Sequence, residues 1–462
     1  MDTKTFNIIC LNSIADIYIH FYKTEYKYYN VNIKSINLTK LINLLLSIIR
    51  DTMTIGCDEM KISGLKEKYL QDLNYFLYYA DCKRGIENDE KYPEETFHLN
   101  FYLNHSEKEL YEYINQFLIN NKINDDNDFY YFLKCIIKYM SGVSDSHTVI
   151  YKKDNTWFPI RFKVINNSVF IDRCFNKKML KKRIKSINGI DIDQVITEIA
   201  TCTNYGTNGW LLSNIEKTMS NKNDLLSLPS LHNHNGKIIF ETDDNETVVF
   251  DINKKYDEQA IYPKKDIEYY KIFDDILVFK YPSCKQEYEP DISKIENIIM
   301  TNNIRKFVLD LQGNGGGNSS IIKPLIEYLA NKDLELFTIV DRNVFSSGRF
   351  AVLDMKRIGS KIVGEEIGTP INCFGYVSGN GITPNSKINF HFARVYWYEE
   401  HDFMKGIYTK EELNKQNDKF FKPKYLQIDV PIEISEEEYQ NSSDDVFLNK
   451  CLEKIKTFKL KK

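Results

Sequence analysis

Three short segments of the chain carry residue types and spacings suited to holding an anion or attacking a carbonyl. The first, Asp310–Ser320 (DLQGNGGGNSS), sets three successive glycines between an apolar run and a helix whose inward face is Ile322, Leu325, Ile326 and Leu329. Without Cβ atoms, such a run lets backbone N–H groups close on a bound anion or oxyanion. A phosphate cradle is disfavoured, because neither GxxxxGK(S/T) nor a GxGxxG in a dinucleotide context is present. The plain alternative is a flexible turn.

The second segment, Asp341–Ile358 (DRNVFSSGRFAVLDMKRI), places Ser346 and Ser347 where a strand ends and a helix begins. Unpaired amides and the helix dipole there favour developing negative charge, so a nucleophile would gain oxyanion stabilisation from its own turn. Serine is also a common N-cap, which is the structural alternative. The third segment, Ser141–Lys153 (SGVSDSHTVIYKK), holds His147. Of the histidines at 20, 98, 105, 147, 232, 234, 391 and 401, it alone lies in a loop rich in Ser, Asp and Gly between a helix and strands. A serine nucleophile needs a base, and histidine is the usual supplier. His232 and His234 have a spacing that could bind a metal, but no carboxylate or cysteine is close to them in sequence, so a solvated loop is expected.

The elements that must position these segments follow from periodicity. Residues 1–150 read mainly as helix, with a broad apolar face over Leu38–Met53 and a second helix over Phe129–Met140 that Asp128 could cap. From Trp157 the pattern becomes strands: FPIRFKVI, SVFIDRCF, RIKSI with a turn at Asn188-Gly189, a helix from about Asp191, and a hairpin within Gly236–Asn253. After Lys271, strands DILVFKY, KFVLDLQ, LELFTIV and KIVGEE alternate with helices over Ile292–Met300, Ile321–Leu329 and Arg349–Ile358. That alternation implies crossover units and a largely parallel sheet. Strands INFHFARVYWY and LQIDVPIEI and a helix over Asp445–Thr457 complete the chain. The fold class expected is α/β and multidomain: helical 1–150, a β-rich module at 151–266, and a core at 267–462.

Length and composition exclude several classes. The 462 residues exceed one ordinary domain. Sixty-one basic against 65 acidic side chains give a net charge of −4, with no excess to neutralise a phosphate backbone, so nucleic acid is not an expected partner. The longest apolar stretch, Leu41–Ile49, falls well short of the roughly 20 residues of a membrane helix. The N-terminus lacks the pattern of a secretory signal, and a cytoplasmic location is the expectation. Nine scattered cysteines without a CxxC pair disfavour both a disulfide scaffold and a structural zinc site.

In this order and spacing, SDSHTVI (Ser144–Ile150), RIKSINGIDI (Arg183–Ile192), VLDLQGNGGGN (Val308–Asn318), VFSSGRFA (Val344–Ala351), IVGEEIGT (Ile362–Thr369) and LQIDVPIEI (Leu426–Ile434) resemble the tail-specific, C-terminal-processing serine peptidases. The resemblance spans roughly residues 130–460 and points to the branch that includes the tricorn protease core. It implies Ser346 as nucleophile, with Arg349 three residues on where relatives usually have glutamate. It also implies an oxyanion hole from the Ser347 N–H and a glycine N–H of the GGG run, Gly317 foremost. The Ser/Lys dyad of another branch is absent, since no lysine lies between Lys361 and Lys387. The tricorn-like branch uses histidine preceded by serine, which maps to His147 as base and Ser146 as an orienting or polarising group. Lys422 stands where a late glutamate would be expected, leaving Glu399 or Glu400 as substitutes that otherwise read as surface charges.

The implied fold is a crotonase-like or ClpP-like β/α core with a PDZ-like module, a class of module that binds extended peptides by strand addition. The implied activity is hydrolysis of extended or unfolded polypeptides through an acyl-enzyme, by an endopeptidase or a C-terminal processing peptidase, without metal or organic cofactor. Its partner is a peptide or protein substrate, and a homo-oligomer is allowed. Two other readings are a non-catalytic module binding peptides or apolar ligands on the same fold, and acyl-thioester chemistry on a crotonase-like core. For a histidine base, activity should rise with a group near its ordinary pKa of about 6.5.

Overall fold

The computed structural model describes residues 64–81, 107–141, 145–153, 156–232, 235–256, 268–397, 423–442 and 445–458, together with residues 62 and 105. The helix expected over Leu38–Met53 lies outside the described residues.

Among the described residues, three helices come first: α1 (Glu67–Asp81), α2 (Glu107–Asn120) and α3 (Asp126–Met140). Asp125, not Asp128, caps α3. Its carboxylate accepts the N–H groups of Asn127 and Asp128, while the Asp128 carboxylate reaches back to the cap, a reciprocal capping box. The sequence offers acids at 125, 126 and 128, and the reciprocal pair satisfies donors on both sides of the cap. Tyr69, Leu73 and Phe76 of α1 and Phe129, Phe132 and Ile136 of α3 share one core cluster with Phe390 and Phe392, far along the chain.

The strand β1 (Val149–Lys152) follows, then a hairpin of β2 (Ile160–Ile165) and β3 (Ser168–Cys174). A small antiparallel sheet, in the order β5-β4-β6-β7, is built from β4 (Ile184–Ile187), β5 (Ile190–Asp191), β6 (Lys237–Thr242) and β7 (Thr247–Asp251). Between β5 and β6 lie α4 (Ile192–Cys202) and α5 (Asn208–Ser220), so this stretch is more helical than its strand patterns predict. α5 carries Gly209, Ser213 and Asn214, which blur the apolar periodicity of a helix.

The core is a six-stranded sheet in which β8 (Tyr270–Phe273) pairs antiparallel with β9 (Ile276–Lys280). The remaining strands run parallel: β9, β10 (Lys306–Asp310), β11 (Glu335–Val340) and β12 (Lys361–Gly364). The crossovers are α6 (Ile292–Thr301), α7 (Lys323–Ala330) and α8 (Ser347–Arg357). Leu277, Phe307 and Leu309 face Ile295, Leu325 and Val352 of these helices. Val278, Val308 and Ile339 turn to the other face, with Ile165 and Phe170 and with the C-terminal Leu452 and Ile455. Both faces are covered, which is why these strands read as continuous apolar runs.

A long hairpin of β13 (Cys373–Ile382) and β14 (Ile388–Trp397) takes β1 on its other edge, Val149 opposite His391 and Lys152 opposite Ile388. β13 carries a register shift between Ser378 and Gly381, where its glycines break the alternation a strand reading needs. LQIDVPIEI, expected as a strand, contributes only β15 (Val430–Pro431) at the sheet edge, because Pro431 has no N–H to donate. Two helices close the chain, α9 (Glu436–Asn441) and α10 (Val446–Thr457). Among the described residues, no helix is long and apolar enough to cross a membrane.

Candidate active site

The turn from β11 into α8 holds both candidate serines. Ser346 occupies the N-cap position with φ 51 and ψ −122, a backbone conformation that glycine adopts easily and other residues do not. Its side chain makes no capping hydrogen bond, so the capping role open to it from sequence is not the one it plays. The Ser347 hydroxyl donates to the Gly317 carbonyl at 2.6 Å, which commits that oxygen to structure. Of the two, Ser346 is the half-buried hydroxyl on a strained elbow.

The glycine run is moulded to this elbow. A Cβ on Gly316, whose φ is +104, would sit 2.7 Å from Ser346 Cβ and 2.8 Å from the Ser347 nitrogen. A Cβ on Gly317, with φ +136, would meet the Cys284 carbonyl at 2.3 Å. Buried Asn314 fixes the loop: its amide donates to the Tyr281 carbonyl at 2.9 Å, its side-chain oxygen accepts the Gly316 N–H at 2.9 Å, and its carbonyl accepts the Phe345 N–H at 2.9 Å. The Asp341 carboxylate accepts the Gly313 N–H at 3.0 Å and the Asn343 N–H at 3.0 Å, tying the two turns together.

The Gly316 N–H is therefore occupied. Its carbonyl accepts from the Cys284 N–H at 3.0 Å and the Ser283 hydroxyl at 3.1 Å. A trans peptide then turns the Gly317 N–H away from residues 283 and 284. Among the described residues, no hydrogen-bond acceptor takes the N–H of Gly317 or of Ser347.

His147 reaches this place through β1. The buried Asp145 carboxylate accepts the N–H groups of His147 and Thr148, each at 2.9 Å, and the Thr148 hydroxyl accepts the Ala393 N–H at 3.0 Å. The imidazole is 7% exposed and stacks on Phe345, with centroids 4.3 Å apart. Phe345 stacks in turn on Trp210 of α5, with centroids 4.1 Å apart and planes 12° from parallel. No side chain among the described residues hydrogen-bonds a ring nitrogen of His147; the polar contact acting on the ring is the Phe374 backbone, and Ser346 and His147 are linked through Phe345 without a hydrogen bond between them. Burial drops the His147 pKa to about 3; the Arg349 guanidinium and His391 push the same way, against the Phe374 backbone. The value of about 6.5 expected for a solvated imidazole is thus replaced, because the protonated ring would sit desolvated beside a cation.

Ser146 is buried, and its hydroxyl accepts the Gly206 N–H at 2.9 Å, which ties the histidine loop to the segment before α5. Arg349, in the first turn of α8, is 2% exposed, donates to the Ile371 carbonyl and lies 4.2 Å from the centroid of the Phe350 ring. Glu399, Glu400 and Lys422 lie outside the described residues. His232 stands in contact with Asp128, 3.1 Å from its carboxylate, rather than in a solvated loop, and His234 lies outside the described residues. Among the described residues, no group of three or more His, Cys, Asp and Glu side chains could hold a metal ion.

Sequence reasoning missed what braces the turn. Arg342 clasps Glu365 at 2.6 Å and donates to Glu216 of α5 at 3.1 Å and to the Val164 carbonyl at 2.8 Å. Ser213 donates to Asn343 at 2.7 Å, and Glu366 accepts the Gly209 N–H at 2.8 Å. Arg342 and the Glu365-Glu366 pair were visible within recognised motifs. Trp210, about 130 residues upstream of Phe345, gave no local signal of its contact.

No protein-family model matches the sequence, and no curated protein matches it. Among solved structures, the chain is similar to mature CPAF at a TM-score of 0.55 and 10% identity, covering 85% of this chain and 97% of that one. Mature CPAF complexed with lactacystin gives a TM-score of 0.55 at 10% identity, over 85% and 98% of the two chains. The photosystem II D1 C-terminal processing protease gives a TM-score of 0.38 at 8% identity, over 80% and 94%. Nearly the whole length of mature CPAF is matched, so the chain is similar in fold to that protein over most of its length.

Proposed function

We propose that the chain is a serine peptidase acting on extended or unfolded polypeptides through an acyl-enzyme. Ser346 attacks the peptide carbonyl while His147 takes its proton. The N–H groups of Ser347 and Gly317 receive the oxyanion. His147 then protonates the leaving amine, and water attacks the acyl-enzyme to regenerate Ser346. Ser146 acts from behind by holding the Gly206 segment against the histidine loop.

The observation that carries this reading is Ser346 itself, an uncapped serine at φ 51 on the N-terminus of a buried helix, faced by a glycine loop with an unused amide. Strain of this kind is maintained where the surroundings over-determine it, as at a nucleophile elbow. The finer assignment is a tail-specific peptidase of the tricorn-core-like branch, with Ser-His in place of Ser-Lys. It has a crotonase-like core at 267–462, a PDZ-like module at 151–266 and a helical region at 1–150, and its location is cytoplasmic. The chemistry written here needs no cofactor.

One observation favours a second reading, binding without turnover. A base held at about 3 accepts a proton reluctantly, and it makes no hydrogen bond to Ser346. The test is labelling of the full chain with a fluorophosphonate, read by intact mass, beside Ser346→Ala and His147→Ala. Labelling of the wild type that is lost in both variants is expected. An unlabelled, folded wild type would replace peptidase by binding module, and a labelled Ser346→Ala would move the nucleophile elsewhere.

A further inference from the structure

A histidine that serves a serine nucleophile is ordinarily held by an acceptor on its second nitrogen, which fixes both tautomer and ring plane. Among the described residues, no side chain serves His147 in this way: only the Phe374 backbone acts on the ring, and the nearby Asp145 spends its carboxylate on the backbone N–H groups of 147 and 148. What the ring does have is a face. It lies on Phe345 at 4.3 Å and 29°, and Phe345 lies on Trp210 at 4.1 Å and 12°.

Trp210 is itself wedged. Its indole rests under Lys217, whose ammonium is 4.3 Å from the ring centroid, and a Cβ on Gly368 would fall 2.8 Å from its Cε3. Its helix is pinned at either side of the ring, by Gly209 to Glu366 of the loop after β12 and by Ser213 to Asn343 of the serine turn. Phe345 is the residue before Ser346, so one ring column touches the base on one face and continues through the backbone into the nucleophile.

We propose that Trp210 is a positioning residue of the active site, which through Phe345 sets the plane of the His147 imidazole relative to Ser346 and so does by stacking what a carboxylate acceptor does elsewhere. The proposal rests on the catalytic reading of Ser346 and His147 given above. It also places a determinant of catalysis on α5, in the segment between the helical region and the core. Aromatic pairs prefer an offset-stacked over a sandwiched arrangement, and an error of about 1 Å in a reacting group costs on the order of 100-fold in rate.

The experiment is the concentration dependence of fluorophosphonate labelling in the full-length wild type, His147→Ala, Trp210→Leu and Trp210→Phe, with thermal unfolding of each. In Trp210→Leu the maximal labelling rate should fall about 10- to 100-fold while the half-saturating probe concentration stays within about twofold. Trp210→Phe restores a π-face and should recover most of the rate, although it leaves a cavity and should unfold at a lower temperature than wild type. A wild-type rate in Trp210→Leu, or a phenylalanine variant no faster than the leucine one, overturns the stacking role while the serine reading stands. A wild type that does not label, or a His147→Ala that labels at the wild-type rate, overturns both. Should Trp210→Leu not fold, the wild-type chain with labelled histidines decides. The His147 ring protons, assigned by their loss in His147→Ala, must be shifted upfield by the rings beneath, and an unshifted signal overturns the proposal.

Discussion

Ser346 and His147 each occupy a state that an isolated residue would avoid. For Ser346 the state is a backbone at φ 51 and ψ −122, which costs a side-chain-bearing residue on the order of 1–3 kcal/mol. Ser346→Gly should therefore raise stability by about 1–2 kcal/mol in denaturant unfolding while abolishing labelling, whereas Ser346→Ala keeps the Cβ and should stay near wild type. For His147 the state is an unprotonated ring with a pKa of about 3. The groups acting on it are Arg349 of α8, His391 of β14 and the Phe374 backbone of β13. Between about pH 6.5 and about pH 3 the unfolded chain binds a proton that the folded chain excludes, so the contribution of His147 to stability is intact above about pH 6.5 and declines as pH falls through that window. The labelling rate should accordingly show no acid limb between about pH 7 and about pH 5, and His147→Gln should lose less stability over that range than wild type. An inflection near 6.5 in the rate would mean a solvated base.

At the level of elements, the serine turn is held by its neighbours more than by its own helix. Arg342 is almost fully desolvated, yet the carboxylates of Glu365 and Glu216 outweigh that burial and hold it charged, with its pKa raised. Glu365 is held ionised by the same contact, against its own burial. Such a cluster costs much to assemble and more to break, because removing one partner leaves the others charged and dry. Arg342→Met should cost about 3–5 kcal/mol in chemical denaturation, while the double variant Arg342→Met with Glu365→Leu should recover part of the loss. Elements with one clean period were legible in the sequence: β9 to β12 as apolar runs, α6 to α8 as helices between them, and the β6-β7 hairpin from its Asp-Asp-Asn tip. Among the elements missed, α5 and β13 are ones whose small residues serve close approach rather than periodicity. A Cβ on Gly209 would fall 2.5 Å from the Glu366 carbonyl, and one on Gly381 would fall 2.2 Å from the Phe390 ring.

Across the whole molecule, the candidate site is assembled from pairings between distant parts of the chain. β1 lies against β14 more than 200 residues later, and this pairing brings the histidine loop to the core. Asp72 of α1 accepts the N–H groups of Asn385 and Ser386, so the hairpin that carries β14 is gripped by the first described helix. From the other side α5 reaches Ser146 through the Gly206 N–H that precedes it, and Phe345, Asn343 and Arg342 through its own residues. Residues 62–462 form one compact unit, in keeping with a site whose parts come from segments far apart in the chain.

The sequence by itself determined the parallel α/β core and the glycine loop beside the serine turn, and singled out His147 among eight histidines as a candidate, because each is written in local spacing: apolar periodicity, a run of glycines, a loop composition. It could place two serines at a helix start but not tell them apart from their spacing. In the tertiary structure they differ: the Ser347 hydroxyl is given to the Gly317 carbonyl and Ser346 is left on a strained backbone, which depends on how the two turns pack. The tertiary structure also decided which glycine amide is unused, since that depends on Asn314 taking one N–H and Cys284 setting the direction of the next peptide. The protonation state of His147 and the aromatic column beneath it arise from burial and from contacts between residues 147, 210 and 345, which no local pattern in the sequence records.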